Sequence, residues 1–189
     1  MPNLLAPPGP TEAIHLLRTL EARDPVVSAH GLRVGTYARS LGAVLGFDGS
    51  ELAQLAAAAH LHELGKLGVP PWVGHKADAL NATERILLRR HPALGGAMLE
   101  AHHQPEALVQ AAHHHHERWD GRGYPDGLSG LSIPRSARIV AVADAFDAMT
   151  STRAYRTPWT TARALAELER ESGAQFWPEA IAAFREAAK

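Results

Sequence analysis

The sequence predicts an all-helical fold, and three observations carry that prediction. Hydrophobic residues make up 46% of the chain, and much of that share is alanine, the residue that costs a helix least. Residues that start and stop helices recur along its length. No stretch alternates apolar and polar positions as a half-buried strand would. With 189 residues, the chain is long enough for one domain with a real core.

Taken in order, residues 1–10 hold four prolines and read as an extended lead. Thr11 can cap a first helix over 12–23, which Asp24-Pro25 ends. Ser28 can cap a second, over 29–46, where Leu32, Val34, Ala38, Leu41, Val44 and Leu45 approximate helical spacing. A turn at 46–49 leads to a third helix, 51–64, with Ser50 as its cap. The span 65–80 is rich in Gly and Pro and reads as a loop. Thr83 starts a helix that breaks near Pro92 and resumes to 102, and Pro105 opens another over 105–118. The span 120–134 carries too much Gly and Pro for a regular element. A loop of that length in a helical domain is commonly functional. Pro134 suits the first turn of a helix reaching 149, and two more helices cover 159–172 and 178–188. The organisation expected is a short helical lead, 1–24, and one helical domain, 25–189.

Composition excludes several classes. Nineteen basic residues against 20 acidic ones give a net charge of -1. That balance sets up no long-range field for long nucleic acid or an anionic membrane. There are no cysteines, which removes disulfides, thiolate nucleophiles and Cys-type zinc sites. The N-terminus lacks the pattern of a signal peptide. No apolar run approaches the ~20 residues that cross a bilayer. A cytoplasmic protein with no membrane contact is the expectation.

Histidine is the anomaly, with 12 copies. The run 113–116 is internal and continues into Glu117-Arg118-Trp119-Asp120, unlike a purification tag. Six pieces stand out: His30, His62-Glu63 with Lys66, His91, His115-His116-Glu117, Asp144, and the loop around Gly123-Tyr124-Pro125. Alone, each is ambiguous. His30 fits an ordinary helix surface, His91 a helix break before Pro92, and the four-histidine run a solvated patch. Asp144 is more telling, because Val140, Val142, Ala143, Ala145 and Phe146 surround it. A carboxylate in such a stretch is costly unless paired or bound to metal. Together, imidazoles and carboxylates suit Zn, Fe or Mn, and two ions about 3.5–4 Å apart are the usual arrangement for phosphoester hydrolysis. Lys66, one helical turn from His62-Glu63, can add electrostatic stabilisation.

Several segments carry a resemblance: AHGLRV (29–34), AAHLHELGK (58–66), HPALGGAML (91–99), HHHHERWDGRGYPDGLSG (113–130), IPRSARIVAVADAFDAMTSTRAYR (133–156) and GAQFWPEAI (173–181). In their order and content they resemble the HD-GYP domains, a branch of the HD metallohydrolase superfamily. The resemblance implies a five-helix HD core with additional C-terminal helices and a long Gly-rich GYP loop. It also implies two divalent ions, Fe or Mn foremost, with Zn, Ni or Mg as alternatives. The activity implied is hydrolysis of cyclic di-GMP to linear pGpG or GMP through a metal-bridging hydroxide. His30, His62, Glu63, His91, His115, His116 and Asp144 are the implied metal ligands. Lys66, contacting the phosphate or the hydroxide, makes up the catalytic set with Glu63 and Asp144. Gly123, Tyr124 and Pro125 shape the substrate pocket, and Asp147, Arg153 and Arg156 join them as substrate-binding residues. A cyclic dinucleotide is the expected partner, along with a signalling protein docking through the GYP loop and a second copy in a homodimer.

Two departures matter. Glu63 stands where the family carries Asp, which keeps the charge and adds a methylene. A displacement near 1 Å can cost about 10²-fold in rate. An alternative reading is therefore a weakened domain that binds a cyclic dinucleotide or a protein. A further alternative is an HD-type phosphohydrolase acting on another nucleotide. The second departure is Val26, at a position where some members carry a Glu that supports a third metal. Two ions are expected here. The family also joins this domain to a sensor or receiver, and only about 24 residues precede it in this sequence, so no input domain is expected within it.

Overall fold

Asp24 decides where the second helix begins. Helix α1 (Pro10–Arg23) ends just before it, and its side chain accepts a hydrogen bond from Val27 N at 3.0 Å. Pro25 then occupies the first turn of α2 (Pro25–Val44), where a missing N–H costs nothing. The second helix thus starts before the expected cap, and Ser28 is buried within it. The computed structural model describes residues 10–74, 76, 78–152 and 157–187.

Two further starts differ from expectation for one reason. Helix α3 (Gly49–Leu61) is capped by Asp48, not Ser50, and α5 (Ala82–Leu88), expected to start at Thr83, starts one residue earlier with Asn81 as its cap. Each cap has a Glu three residues on, Glu51 and Glu84, that reaches back to the cap backbone and completes a capping box. The span expected as loop holds a 3-10 turn, Leu64–Gly68, and the short α4 (Pro71–Gly74). Then follow α6 (His91–Ala101) and α7 (Glu106–His114). The Gly-rich loop contains only a brief 3-10 turn, Gly130–Ser132. Helices α8 (Arg135–Thr150), α9 (Thr161–Arg170) and α10 (Pro178–Ala187) complete the order.

The all-helical prediction holds among the described residues, where the one trace of sheet geometry is an isolated bridge between Ser172 and Phe176. Helices α2, α3, α7 and α8 pack around Val34, Leu41, Leu55, Leu61, Leu108 and Ile139, all buried. Leu16 and Leu20 of α1 belong to the same core, so the junction at 24 lies inside one packed body. Among the described residues, no helix is long and apolar enough to cross a membrane.

One close approach positions the site. A Cβ on Gly65 would lie 1.9 Å from the His91 carbonyl oxygen and 2.4 Å from Gly95 N. Only glycine lets the turn after α3 touch the first turn of α6. That contact brings Glu63 beside His91.

Candidate metal centre

Three helix ends supply three of the imidazoles in the same way. His62 follows the last residue of α3 and His115 the last residue of α7, while His91 opens α6 three residues past Leu88, the last residue of α5. The final carbonyls of a helix lack intrahelical partners. Each histidine supplies one: His62 Nδ1 donates to Ala59 O at 2.6 Å, His91 Nδ1 to Leu88 O at 2.8 Å, and His115 Nδ1 to Ala112 O at 2.9 Å. A carbonyl only accepts, so Nδ1 carries the proton and Nε2 presents a lone pair. This is how metal-binding histidines are held.

Those lone pairs converge. His91 Nε2 and His115 Nε2 lie 3.3 Å apart. His62 Nε2 and Glu63 Oε2 are buried without a hydrogen-bond partner. Acceptors facing one another in the interior are unfavourable unless a cation or donor joins them, so the donor set fits a divalent metal. The donors form two triads, His30 with His62 and Asp144, and His91 with His115 and His116. A third group of His62, Glu63 and His115 links the two. All seven residues expected as ligands are brought into this one connected set.

The carboxylates sit between and behind the imidazoles. Asp144 Oδ1 is 3.1 Å from His30 Nε2 and 3.9 Å from His62 Nε2. Glu63 extends one oxygen to Lys66 Nζ at 2.6 Å and the other to within 3.0 Å of His91 Nε2. The added methylene thus lets Glu63 span from the lysine to the second triad. Asp147, expected to bind substrate, sits behind His30 in the structure. Its side chain is only 1% exposed. It accepts from His30 Nδ1 at 2.7 Å, from Arg33 Nε at 2.7 Å and Nη2 at 2.9 Å, and from Ser151 Oγ at 3.0 Å. These contacts engage both carboxylate oxygens, one of them with the His30 ring.

Electrostatics follow from this packing. Burial lowers the pKa of His62, and lowers that of His115 further with help from the neighbouring His116. Burial, then His91, brings His116 down to about 4. These imidazoles are neutral and able to ligate at neutral pH. At His30, burial is outweighed by hydrogen bonds to Asp144 and Asp147, and the pKa is pushed up to about 9. Burial also opposes ionisation of Glu63, yet Lys66 and His91 hold it well below the usual carboxylate range.

The Gly-rich loop closes one side. Glu117 Oε1 accepts from Asp126 N at 2.7 Å and Gly127 N at 3.0 Å, which ties the loop to the end of α7. A Cβ on Gly123 would lie 2.4 Å from Arg118 N and 2.5 Å from Glu117 Cα, so the loop backbone lies directly on the chain that carries His115 and His116. The Tyr124-Pro125 peptide is cis. The Tyr124 ring stacks on His116 with centroids 4.8 Å apart and planes 24° apart. The Arg89 guanidinium stands 5.0 Å from the same ring. A cleft of about 200 Å³ is lined by Arg89, His116, Arg122, Tyr124, Asp144 and Gln175. Arg153 and Arg156 lie outside the described residues. Sequence reasoning missed Arg33, Arg89 and the anchoring role of Glu117. Only Glu117 had a signal, its place directly after the histidine run.

A helical domain that gathers histidines and carboxylates from the ends and faces of successive helices is of the HD class. A sequence profile of the HD domain matches residues 15–179, and the chain belongs to that family. It is 41% identical over 168 residues to the cyclic di-GMP phosphodiesterase response regulator RpfG of Xanthomonas campestris pv. campestris, covering 88% of this chain and 44% of that protein. It is 36% identical over 171 residues to 3'3'-cGAMP-specific phosphodiesterase 2 of Vibrio cholerae, covering 88% of this chain and 32% of that one. The chain therefore spans less than half the length of either relative. Among solved structures, Bd1817, a HDG"Y"P protein from Bdellovibrio bacteriovorus, superposes with a TM-score of 0.71 at 22% identity, over 94% of this chain and 57% of that one. At that identity the likeness concerns the fold. The HD family uses divalent metal ions, and the donor set described above suits them.

Proposed function

We propose that this chain is a metal-dependent phosphodiesterase that hydrolyses cyclic di-GMP to linear pGpG, and on to GMP if a second bond is cut. The observation that carries the reading is the convergence of three helix-end imidazoles on buried, unpartnered acceptor atoms, with Glu63 joining the two triads. Two divalent ions, Fe or Mn foremost, match two triads linked through the group that contains Glu63. When bound, such ions supply an activated water and neutralise phosphate charge.

The chain's own residues do the rest. Lys66, paired with Glu63 and 31% exposed, places an ammonium at the rim of the centre where a phosphate oxygen can meet it. Asp147 and Arg33 hold His30 in one orientation. Tyr124 offers an aromatic wall, and Arg89 and Arg122 bring positive charge to the cleft for the second phosphate of a cyclic dinucleotide. Arg153 and Arg156 join them as substrate contacts. A cytoplasmic setting, a homodimer and a signalling partner at the GYP loop accompany this reading.

Glu63 in place of the family's Asp favours a second reading, a domain that holds the dinucleotide and turns it over slowly. One experiment tests the first. Protein loaded anaerobically with Fe²⁺, or with Mn²⁺, is incubated with cyclic di-GMP and, in parallel, 3'3'-cGAMP. Linear pGpG is the expected product. Intact cyclic di-GMP with both metals overturns the proposal.

A further inference from the structure

A second set of donors, sharing no residue with the centre, lies at the end of α7. His113 and His114 close that helix, and Asp126 directly follows Gly123-Tyr124-Pro125. One ligand atom from each lies within 4.8 Å of the others. Asp126 Oδ2 is 3.1 Å from His113 Nε2 and 3.5 Å from His114 Nδ1. Tetrahedral coordination with bonds of about 2.0–2.1 Å puts neighbouring ligand atoms about 3.3 Å apart, and both separations bracket that value.

Ordinary hydrogen bonding explains only half of this arrangement. His113 and Asp126 are within hydrogen-bond distance. His114 Nδ1 is buried and has no hydrogen-bond partner, although the Asp126 carboxylate faces it. Glu117 Oε1 is a further 4.0 Å neighbour of that nitrogen, and Glu117 Oε2 is also buried without a partner. A buried imidazole nitrogen flanked by two carboxylates, with no hydrogen bond made, is an environment that a cation completes. The His113 ring is held in place too. A Cβ on Gly96 would lie 3.0 Å from His113 Cβ and Nδ1, so the ring rests on the backbone of α6.

We propose that His113, His114 and Asp126 form a separate Zn²⁺-type site that fastens the GYP loop to the end of α7. Two imidazoles and one carboxylate leave a fourth position for water, and this ligand set suits Zn²⁺ among the borderline divalent ions. Glu117 already holds the N–H groups of Asp126 and Gly127. An ion bound to the Asp126 side chain adds a second tie at the same residue. The loop that carries Tyr124 is then pinned on both faces of Asp126.

The test counts metal and does not depend on whether the main centre cleaves a cyclic dinucleotide. Purified chain is saturated with Zn²⁺, freed of loose metal by gel filtration, and analysed for zinc by mass spectrometry. Asp126→Ala and the double change His113→Ala with His114→Gln are treated alike. The parent protein is expected to hold one zinc more per chain than either variant. Crystals of the parent are expected to show an anomalous zinc peak among the three side chains. An equal count in all three proteins, or no peak at that place, overturns the proposal.

Discussion

His30 and Asp147, 117 residues apart in sequence, meet through an Nδ1–Oδ2 contact of 2.7 Å. Arg33 grips the same carboxylate with two hydrogen bonds. The carboxylate fixes the ring so that Nε2 faces Asp144, as outer partners of metal-binding histidines do. Asp147→Asn is predicted to weaken metal binding roughly 10–100-fold while the protein stays folded. A Mn²⁺ titration of parent and variant measures this, and equal affinities would count against the orienting role.

The same contacts predict a pH dependence. His30 has its pKa pushed up to about 9 in the ion-free protein, so it is protonated at neutral pH. The protonated ring stabilises the ion-free fold fully below the pKa of about 6.5 of a free imidazole, and this contribution fades as pH rises through about 9. A metal must displace that proton. Loading at pH 7.5 is predicted to release a proton from His30, and affinity to rise with pH up to about 9. Calorimetry in buffers of different ionisation enthalpy reads the proton count.

Glu63 reaches Lys66 with one oxygen and His91 with the other. Shortening it withdraws both contacts at once. Glu63→Asp is therefore predicted to lower turnover of cyclic di-GMP by about 10–10²-fold, the scale of a 1 Å misplacement. Higher turnover in the variant would instead support the reading in which Glu63 has weakened catalysis.

Gly65→Ala is predicted to be among the most damaging small changes. Its methyl group would lie 1.9 Å from a backbone oxygen of α6, which has no soft side chain to move aside. Overpacking of this kind costs on the order of 3 kcal/mol. Thermal unfolding should show the loss, and metal content should fall with it, because the displaced seam carries Glu63 and His91.

Much of this was legible in the sequence because it is carried locally. The helices and their order follow from spacing, prolines and caps. The starts that moved did so where a stronger cap stood one or more residues earlier. Asp48 and Asn81 each have a Glu three positions on, and Ser50 and Thr83 lack that reciprocal bond. The candidate ligands were legible because they sit in short motifs. The task of Asp147 was not, since its partners His30 and Arg33 come from α2, at the other end of the sequence. Nor was Arg89, whose place beside Tyr124 depends on how the loop folds back over α5.

Three imidazoles of the centre hang from the closing turns of α3, α5 and α7. Helix length therefore acts as the ruler of the site. Adding or removing one residue inside α3 or α7 swings the closing histidine through about 100° around the helix axis. That change would turn a donor toward the core or the solvent while leaving every ligand present in the sequence. The connections over 78–80 and 102–105 carry no such register. Among related chains, length variation should accumulate in those connections and be absent from the helices that end in a histidine.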